Sequence, residues 1–349
     1  MHSDSALPRV AFIGSVGIPN RYGGFEAFLE HTTPVMLHHA QSVIVTCDRS
    51  IYPDTENSFQ GVDRVFIDCP ANGIFSILHD LLAFFAVFLR ADRICVLGVS
   101  GGIWFPLFRF LCDLTNKQLL VNVDGVEWER GKFSKPKKMI LRIMNYFAQR
   151  FAHKVIIDNE ALPYLYRNKT WFIPYPGDHV MRMYDEEMDG SALTVCRIEP
   201  ENNIDMMIEG ALLSKIGRYI IIGNWNKSNY GIKLRNKYKD NERIKMVDPI
   251  YDPYVLAQYR ERCAIYIHGH SVGGTNPSLI EMIYYDCDIL CFDVKYHHFS
   301  VGDNARYFSD SHDLLTLINN SSVAIPSKAA LRKKYSREII AKQYLNIMK

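Results

Sequence analysis

Ile265-Tyr266-Ile267-His268-Gly269-His270-Ser271-Val272-Gly273-Gly274-Thr275-Asn276-Pro277-Ser278-Leu279-Ile280-Glu281 changes character twice within seventeen residues. It opens as a β-branched and aromatic run, crosses a segment with three glycines at 268–277, and continues as an apolar-periodic segment over 278–285. The pattern predicts a strand, a loop and a helix start. Pro277 suits the first helical turn, where its missing N–H has no partner to lose, and Asn276 or Thr275 can cap it. Free amides at the helix start favour an anion, and Gly273 and Gly274 let it approach the main chain, so a phosphate or diphosphate is the expected occupant. Glu281, one turn further on, can accept hydrogen bonds from the hydroxyls of a ribose-like ring. A glycine-rich turn in any α/β protein, with Glu281 on a solvated face, carries the same pattern.

The 349 residues suffice for two domains, and 48% apolar with 22% charged residues is a globular composition. Forty basic and 38 acidic side chains give a net charge of +2, which offers no reason to expect nucleic acid as a partner. The eight cysteines lack the paired close spacing of a zinc site and read as buried free thiols in a reducing cytoplasm. Residues 1–8 lack the pattern of a signal peptide, so secretion is not expected, and the longest apolar run, 81–89, is too short to span a membrane.

A second strand–glycine loop–helix pattern opens the chain, with a strand at 9–13, then Gly14, Gly17, Gly23 and Gly24, and a helix ending near His39. The glycine spacing is not that of a dinucleotide fingerprint, which argues against a dehydrogenase. Strands are predicted at 43–47, 64–67, 94–99, 118–123, 154–157 and 171–173, with helical patterns between several of them. After a break at Pro174, Pro176 and Gly177, a second set is predicted at 193–197, 219–223, 244–247, 264–268 and 289–293, and the chain ends in a helix at 337–348. Two mostly parallel sheets covered by helices follow, with ligands at the C-terminal strand ends. Asp124 falls at such an end and precedes Glu127, Trp128 and Arg130, a group suited to a sugar, or else Asp124 caps the next helix. Arg197 lies at another, where it can neutralise a diphosphate or pair with Glu199 or Glu201. The segment 132–154 interleaves Lys135, Lys137, Lys138, Arg142 and Arg150 with Met139, Ile140, Ile143, Phe147 and Phe151, a basic amphipathic helix that fits either anionic lipid or a solvated surface.

Taken together, 17–26, 124–128, 197–203, 248–251 and 268–281 resemble the GT-B retaining glycosyltransferases of family 4, in the branch of bacterial capsule and polysaccharide rhamnosyltransferases. The resemblance implies an α/β fold of two Rossmann-like domains facing a central cleft. An acceptor-binding domain would span 1–176 and a nucleotide-sugar domain 177–335, with the helix at 336–349 crossing back to the first. It further implies transfer of a sugar, L-rhamnose from its dTDP donor or a hexose from a UDP donor, onto a lipid-linked saccharide at the inner face of the cytoplasmic membrane. No metal or other cofactor is expected. Arg197 would contact the diphosphate, Glu281 the ribose or deoxyribose hydroxyl, and Asp124 the reacting sugar or acceptor. Gly17, Asn224, Ile250, His270, Gly273, Gly274, Thr275, Asn276 and Ser278 would line the donor site, with Ile250 against the base. Tyr22, Gly23, Gly24, Glu26, Glu127, Trp128 and Arg130 would serve the acceptor. The chain departs from the wider family in two places: Gly273 stands where the family has Glu, and Asn202 where it has Lys. A non-catalytic GT-B partner subunit, and an epimerase relying on His268, His270 and Asp124, are the competing readings.

Overall fold

A computed structural model describes residues 7–53, 56–123, 125, 134–184, 186–320 and 327–349. In chain order the first unit contains β1 (Arg9–Ile13), α1 (Gly24–Met36), β2 (Ser42–Asp48), β3 (Ser58–Phe59), β4 (Val62–Ile67), α2 (Ser76–Phe88) and β5 (Arg93–Leu97). It continues with α3 (Phe105–Leu114), β6 (Gln118–Asn122), α4 (Lys135–Phe151), β7 (Lys154–Ile157) and β8 (Thr170–Phe172). The second unit contains β9 (Ser191–Val195), α5 (Ile204–Leu213), β10 (Tyr219–Ile222), α6 (Asn229–Tyr238), β11 (Ile244–Val247), α7 (Pro253–Arg262) and β12 (Cys263–His268). It ends with α8 (Pro277–Met282), β13 (Asp288–Phe292), α9 (Lys295–Val301), β14 (Arg306–Phe308), α10 (Ser311–Asn319) and α11 (Ala329–Lys334), after which α12 (Arg337–Ile347) closes the chain. Residues 1–176 and 335–349 form one compact unit, and 177–334 the other.

The first sheet runs β3-β4-β2-β1-β5-β6-β7-β8 and the second β11-β10-β9-β12-β13-β14. All pairings are parallel except β3 with β4. The predicted strands are present within a residue or two. β3 and β14, of two and three residues, are additions too short for side-chain alternation to reveal. In each sheet the connections set out in opposite directions from two adjacent central strands, β1 and β5 in one, β9 and β12 in the other. The loops at the C-terminal ends of such a pair splay apart, and ligands of open α/β sheets bind there.

α12 packs on the first unit, against α1. Tyr344 is buried, with its ring 4.9 Å from Phe28 and 5.9 Å from Phe12, and its hydroxyl accepts a hydrogen bond of 2.8 Å from Asn122 Nδ2. Lys154 donates to the carbonyl of Ile347 and Arg93 to that of Met348, so two cations meet the negative end of the helix. All eight cysteines are free thiols, seven of them buried and Cys196 half-buried. No described helix is long and apolar enough to cross a membrane.

Candidate functional site

The stretch 265–281 supplies β12, one of the two central strands of the second sheet, and the loop leading to α8. The facing loop, after β9, carries Arg197 to Asn203. Four hydrogen bonds clip the loops together: Ser271 N and Oγ donate to the Glu201 carbonyl at 2.9 and 2.8 Å, Asn203 Nδ2 donates to the Gly269 carbonyl at 2.9 Å, and His270 Nδ1 meets Asn202 Oδ1 at 2.8 Å. Asn202 Nδ2 also donates to the Arg197 carbonyl at 2.7 Å. With that amide donating, its oxygen is the acceptor, so the proton of the shared bond sits on His270 Nδ1. Asn202 therefore works as a clip between the two loops.

Around this clip lie groups that have no partner among the described residues. Arg197 is exposed, and among the described residues its guanidinium pairs with neither Glu199 nor Glu201, the alternative that the sequence left open. The amides of Gly273 and Gly274 have no acceptor among the described residues. Gly273 takes φ +132°, a conformation that L side chains rarely adopt, and a Cβ there would lie 3.2 Å from His270 Nε2. Any side chain would be strained at this position, a glutamate included. Asn276 caps α8 by accepting from Ser278 N at 3.1 Å, and Ser278 Oγ donates to the same oxygen at 2.8 Å. Thr275 is buried. α8 is shorter than the sequence predicts, Pro277–Met282 rather than 278–285, because i→i+3 bonds from Ile283, Tyr284 and Tyr285 tighten its end. A six-residue helix has a weak dipole, so attraction for an anion rests on the loop amides and Arg197.

Glu281 is not on a solvated face. Its carboxylate pairs with Arg260 of α7 through Oε2, and Oε1 lies 3.3 Å from His179 Nε2. Burial alone would raise this carboxyl, but the Arg260 guanidinium and His179 more than offset it and hold it at about 2. Each oxygen keeps a second lone pair for a hydroxyl. Arg260 and His179 were missed in the sequence; nothing in the run Tyr259-Arg260-Glu261-Arg262 marks which arginine turns inward. His268 is buried, and burial together with the rings of His297 and His270 holds its pKa well below the usual histidine range. His297 is pushed down to about 4, chiefly by burial. Both rings are therefore biased toward the neutral form. Asn224 is exposed beyond β10, beside a fully buried Trp225, and Ile250 is half-buried after β11.

In the first unit, Gly17 is buried at φ +121°, and a Cβ there would come within 2.5 Å of Cys47 Sγ, so packing on β2 accounts for this glycine without a ligand. Tyr22 is exposed; Gly23 and Gly24 begin α1. Glu26 is buried and accepts the Val16 amide at 2.8 Å, so it braces the loop after β1. Asp124, Glu127, Trp128 and Arg130 lie outside the described residues.

The sequence reading also passed over Asp80, in the first turns of α2. A Cβ on Gly14, after β1, would lie 3.3 Å from Asp80 Oδ1, and one on Gly101, after β5, 2.6 Å from Oδ2. The carboxyl thus sits under both loops of the central pair in the first sheet. It is buried, Oδ2 has no hydrogen-bond partner among the described residues, and desolvation raises its pKa to about 7, the Gly101 amide offsetting only part. Its one signal in the sequence is that it is the sole carboxylate in the apolar run 76–89. Among the described residues no three His, Cys, Asp or Glu side chains are grouped to hold a metal.

A family model described as a domain of unknown function (DUF1972) matches residues 7–177. No curated protein sequence matches the chain. Solved structures similar to it include the sucrose-phosphate synthase of Thermosynechococcus elongatus, at TM-score 0.76 and 13% identity over 97% of this chain and 98% of that one. HepE of Anabaena, solved in complex with UDP and glucose, follows at TM-score 0.69 and 14% identity, covering 97% and 98%. The lipopolysaccharide outer core galactosyltransferase WaaB, in its apo form, gives 0.64 and 12%, covering 97% and 99%. At these identities the likeness is one of fold, and with two parallel sheets whose central strand pairs launch in opposite directions, the chain has the GT-B fold of two Rossmann-like domains.

Proposed function

We propose that the chain is a retaining glycosyltransferase that moves L-rhamnose from dTDP-L-rhamnose onto a lipid-linked saccharide in bacterial surface polysaccharide synthesis, at the inner face of the cytoplasmic membrane. The observation that carries the reading is the clipped pair of loops after β9 and β12, with the Arg197 guanidinium and the Gly273 and Gly274 amides free to receive an anion. In this reading the unit 177–334 takes the nucleotide-sugar and the first unit the acceptor. The bond from the anomeric carbon to the diphosphate breaks, the acceptor oxygen bonds to the same face of that carbon, and the acceptor proton passes to the departing phosphate. Arg197 and the loop amides lower the barrier by meeting the charge that grows on the leaving diphosphate. Glu281, kept ionised by Arg260 and His179, accepts from a deoxyribose hydroxyl of dTDP, or from a ribose hydroxyl of a UDP donor, and His270 contacts the transferred sugar. No metal is required, since the cationic work falls to Arg197.

A UDP-hexose is the second reading of the donor, favoured by the UDP and glucose in the Anabaena structure. A melting-temperature screen against dTDP, UDP, GDP and ADP separates them, because a ligand that binds only the folded chain raises its melting temperature. The largest rise with dTDP is expected. A preference for UDP transfers the donor assignment, and no rise with any of the four favours a non-catalytic subunit.

A further inference from the structure

Three helices of the first unit turn apolar side chains away from the protein. α2 buries His79 and Asp80 yet exposes Leu78, Leu82 and Phe85, which are 46%, 41% and 51% accessible. α4 does the same: Asn145 and Gln149 face inward, joined by a 3.0 Å hydrogen bond, while Met139, Ile140 and Ile143 are about half exposed. α3 exposes Leu107, Phe110 and Leu114, one stripe at helical spacing. α4 thus reverses the arrangement of an ordinary surface helix, while α2 and α3 bury apolar side chains such as Phe84 and Phe108 and expose others as well.

These stripes belong to one surface. The connections β4–α2–β5, β5–α3–β6 and β6–α4–β7 all step the same way across the sheet, so right-handed crossovers place the three helices on one face, while β1–α1–β2 steps the other way. Adjacent helices touch: Phe84 of α2 stacks on Phe108 of α3 at 3.9 Å, and Trp104 Nε1, just before α3, donates to the Ile77 carbonyl at 2.8 Å. On the other flank, a Cβ on Gly102 would lie 2.1 Å from the Met144 carbonyl of α4. Large apolar side chains exposed on three neighbouring helices mark a contact site.

Charge identifies the occupant. Residues 135–151 contain five cations and no carboxylate, and Lys135, Lys137, Arg142 and Arg150 are exposed. On α2 the single carboxylate, Asp80, is buried, and on α3 the single carboxylate, Asp113, is taken up by Arg109 at 2.7 Å and His153 at 2.8 Å. We infer that this face docks on an anionic lipid bilayer, the apolar stripes of α2, α3 and α4 entering the acyl boundary and the α4 cations meeting phosphate headgroups. The inference deepens the acceptor side of the proposed function, since an acceptor carried on a lipid is met at the membrane surface. The two fail separately, because nucleotide binding is read without lipid.

The test is co-sedimentation of the full chain with phosphatidylcholine vesicles and with vesicles in which about a third of the lipid is phosphatidylglycerol. Binding to the anionic vesicles, weakened by salt, is expected. Leu82→Asp with Phe85→Asp, both on the outer side of α2, and separately Lys137→Glu with Arg142→Glu, are each expected to lower the partition about tenfold with the melting temperature and nucleotide response kept. Absence of binding to either vesicle overturns the inference, as does vesicle binding that survives both pairs. Self-association in solution that the α2 pair abolishes overturns it too and assigns the face to a protein partner.

Discussion

Asp80 and Glu281 are both carboxyls at central strand ends, and their surroundings push them in opposite directions. Glu281 has a guanidinium and an imidazole beside it and stays ionised; Asp80 has neither and is held near 7. Between about pH 4 and 7 the folded chain keeps a proton on Asp80 that the unfolded chain releases, so this group's contribution to stability falls as pH rises through that window and remains a penalty above it. Asp80→Asn is therefore expected to raise the melting temperature at pH 8, by an amount equivalent to about 2–4 kcal/mol, with little change at pH 4. Equal effects at pH 4 and pH 8 in thermal melts would show that the carboxyl is not neutral in the folded chain. Neither environment was legible in the sequence. The pattern of 265–281 put Glu281 in the right turn of the right helix, but its partner Arg260 is on α7 and its partner His179 is 102 positions away, and only packing brings them together. Asn202 was visible as a missing lysine, whereas its work as a clip depends on the loop after β12.

Strands were the most legible elements, because β-branched runs such as 219–222 and 263–268 are buried in parallel sheets and read as continuous apolar stretches. Helices were legible as periodicity, but periodicity does not say which face turns inward. That is why the apolar residues of 132–154 left lipid and ordinary surface open, and why α2 read only as an apolar run. Where polar residues such as Asn145 and Gln149 are the buried ones, only the folded contacts reveal the inversion. α12 shows an element whose place was expected from resemblance while its fastening was not. Tyr344 joins the core of the first unit and hydrogen-bonds Asn122, so Tyr344→Ala is expected to cost about 3–5 kcal/mol in denaturant unfolding of the chain, the range for removing a buried aromatic ring. A loss under about 1 kcal/mol would mean that the helix is only loosely docked.

For the molecule as a whole, the two sheets repeat one plan, and each brings two loops together over its central strands, both glycine-bearing in the first sheet and only the one after β12 in the second. In the first, the loops close on the buried Asp80, with Glu26 bracing the loop after β1; in the second they leave Arg197 and two amides without a partner among the described residues. That asymmetry carries the assignment of the anionic donor to 177–334, and it was only half legible: the glycines were plain in both halves, but what lies beneath them was not. The most direct measurement is a calorimetric titration of dTDP into the intact chain and into Arg197→Ala. Loss of a charge-assisted hydrogen bond to the diphosphate predicts binding by the parent that weakens about 10- to 100-fold in the variant, with an unchanged melting temperature in the absence of nucleotide. Equal affinities in the two proteins, or no heat of binding in the parent, would contradict the donor site described for the loops after β9 and β12.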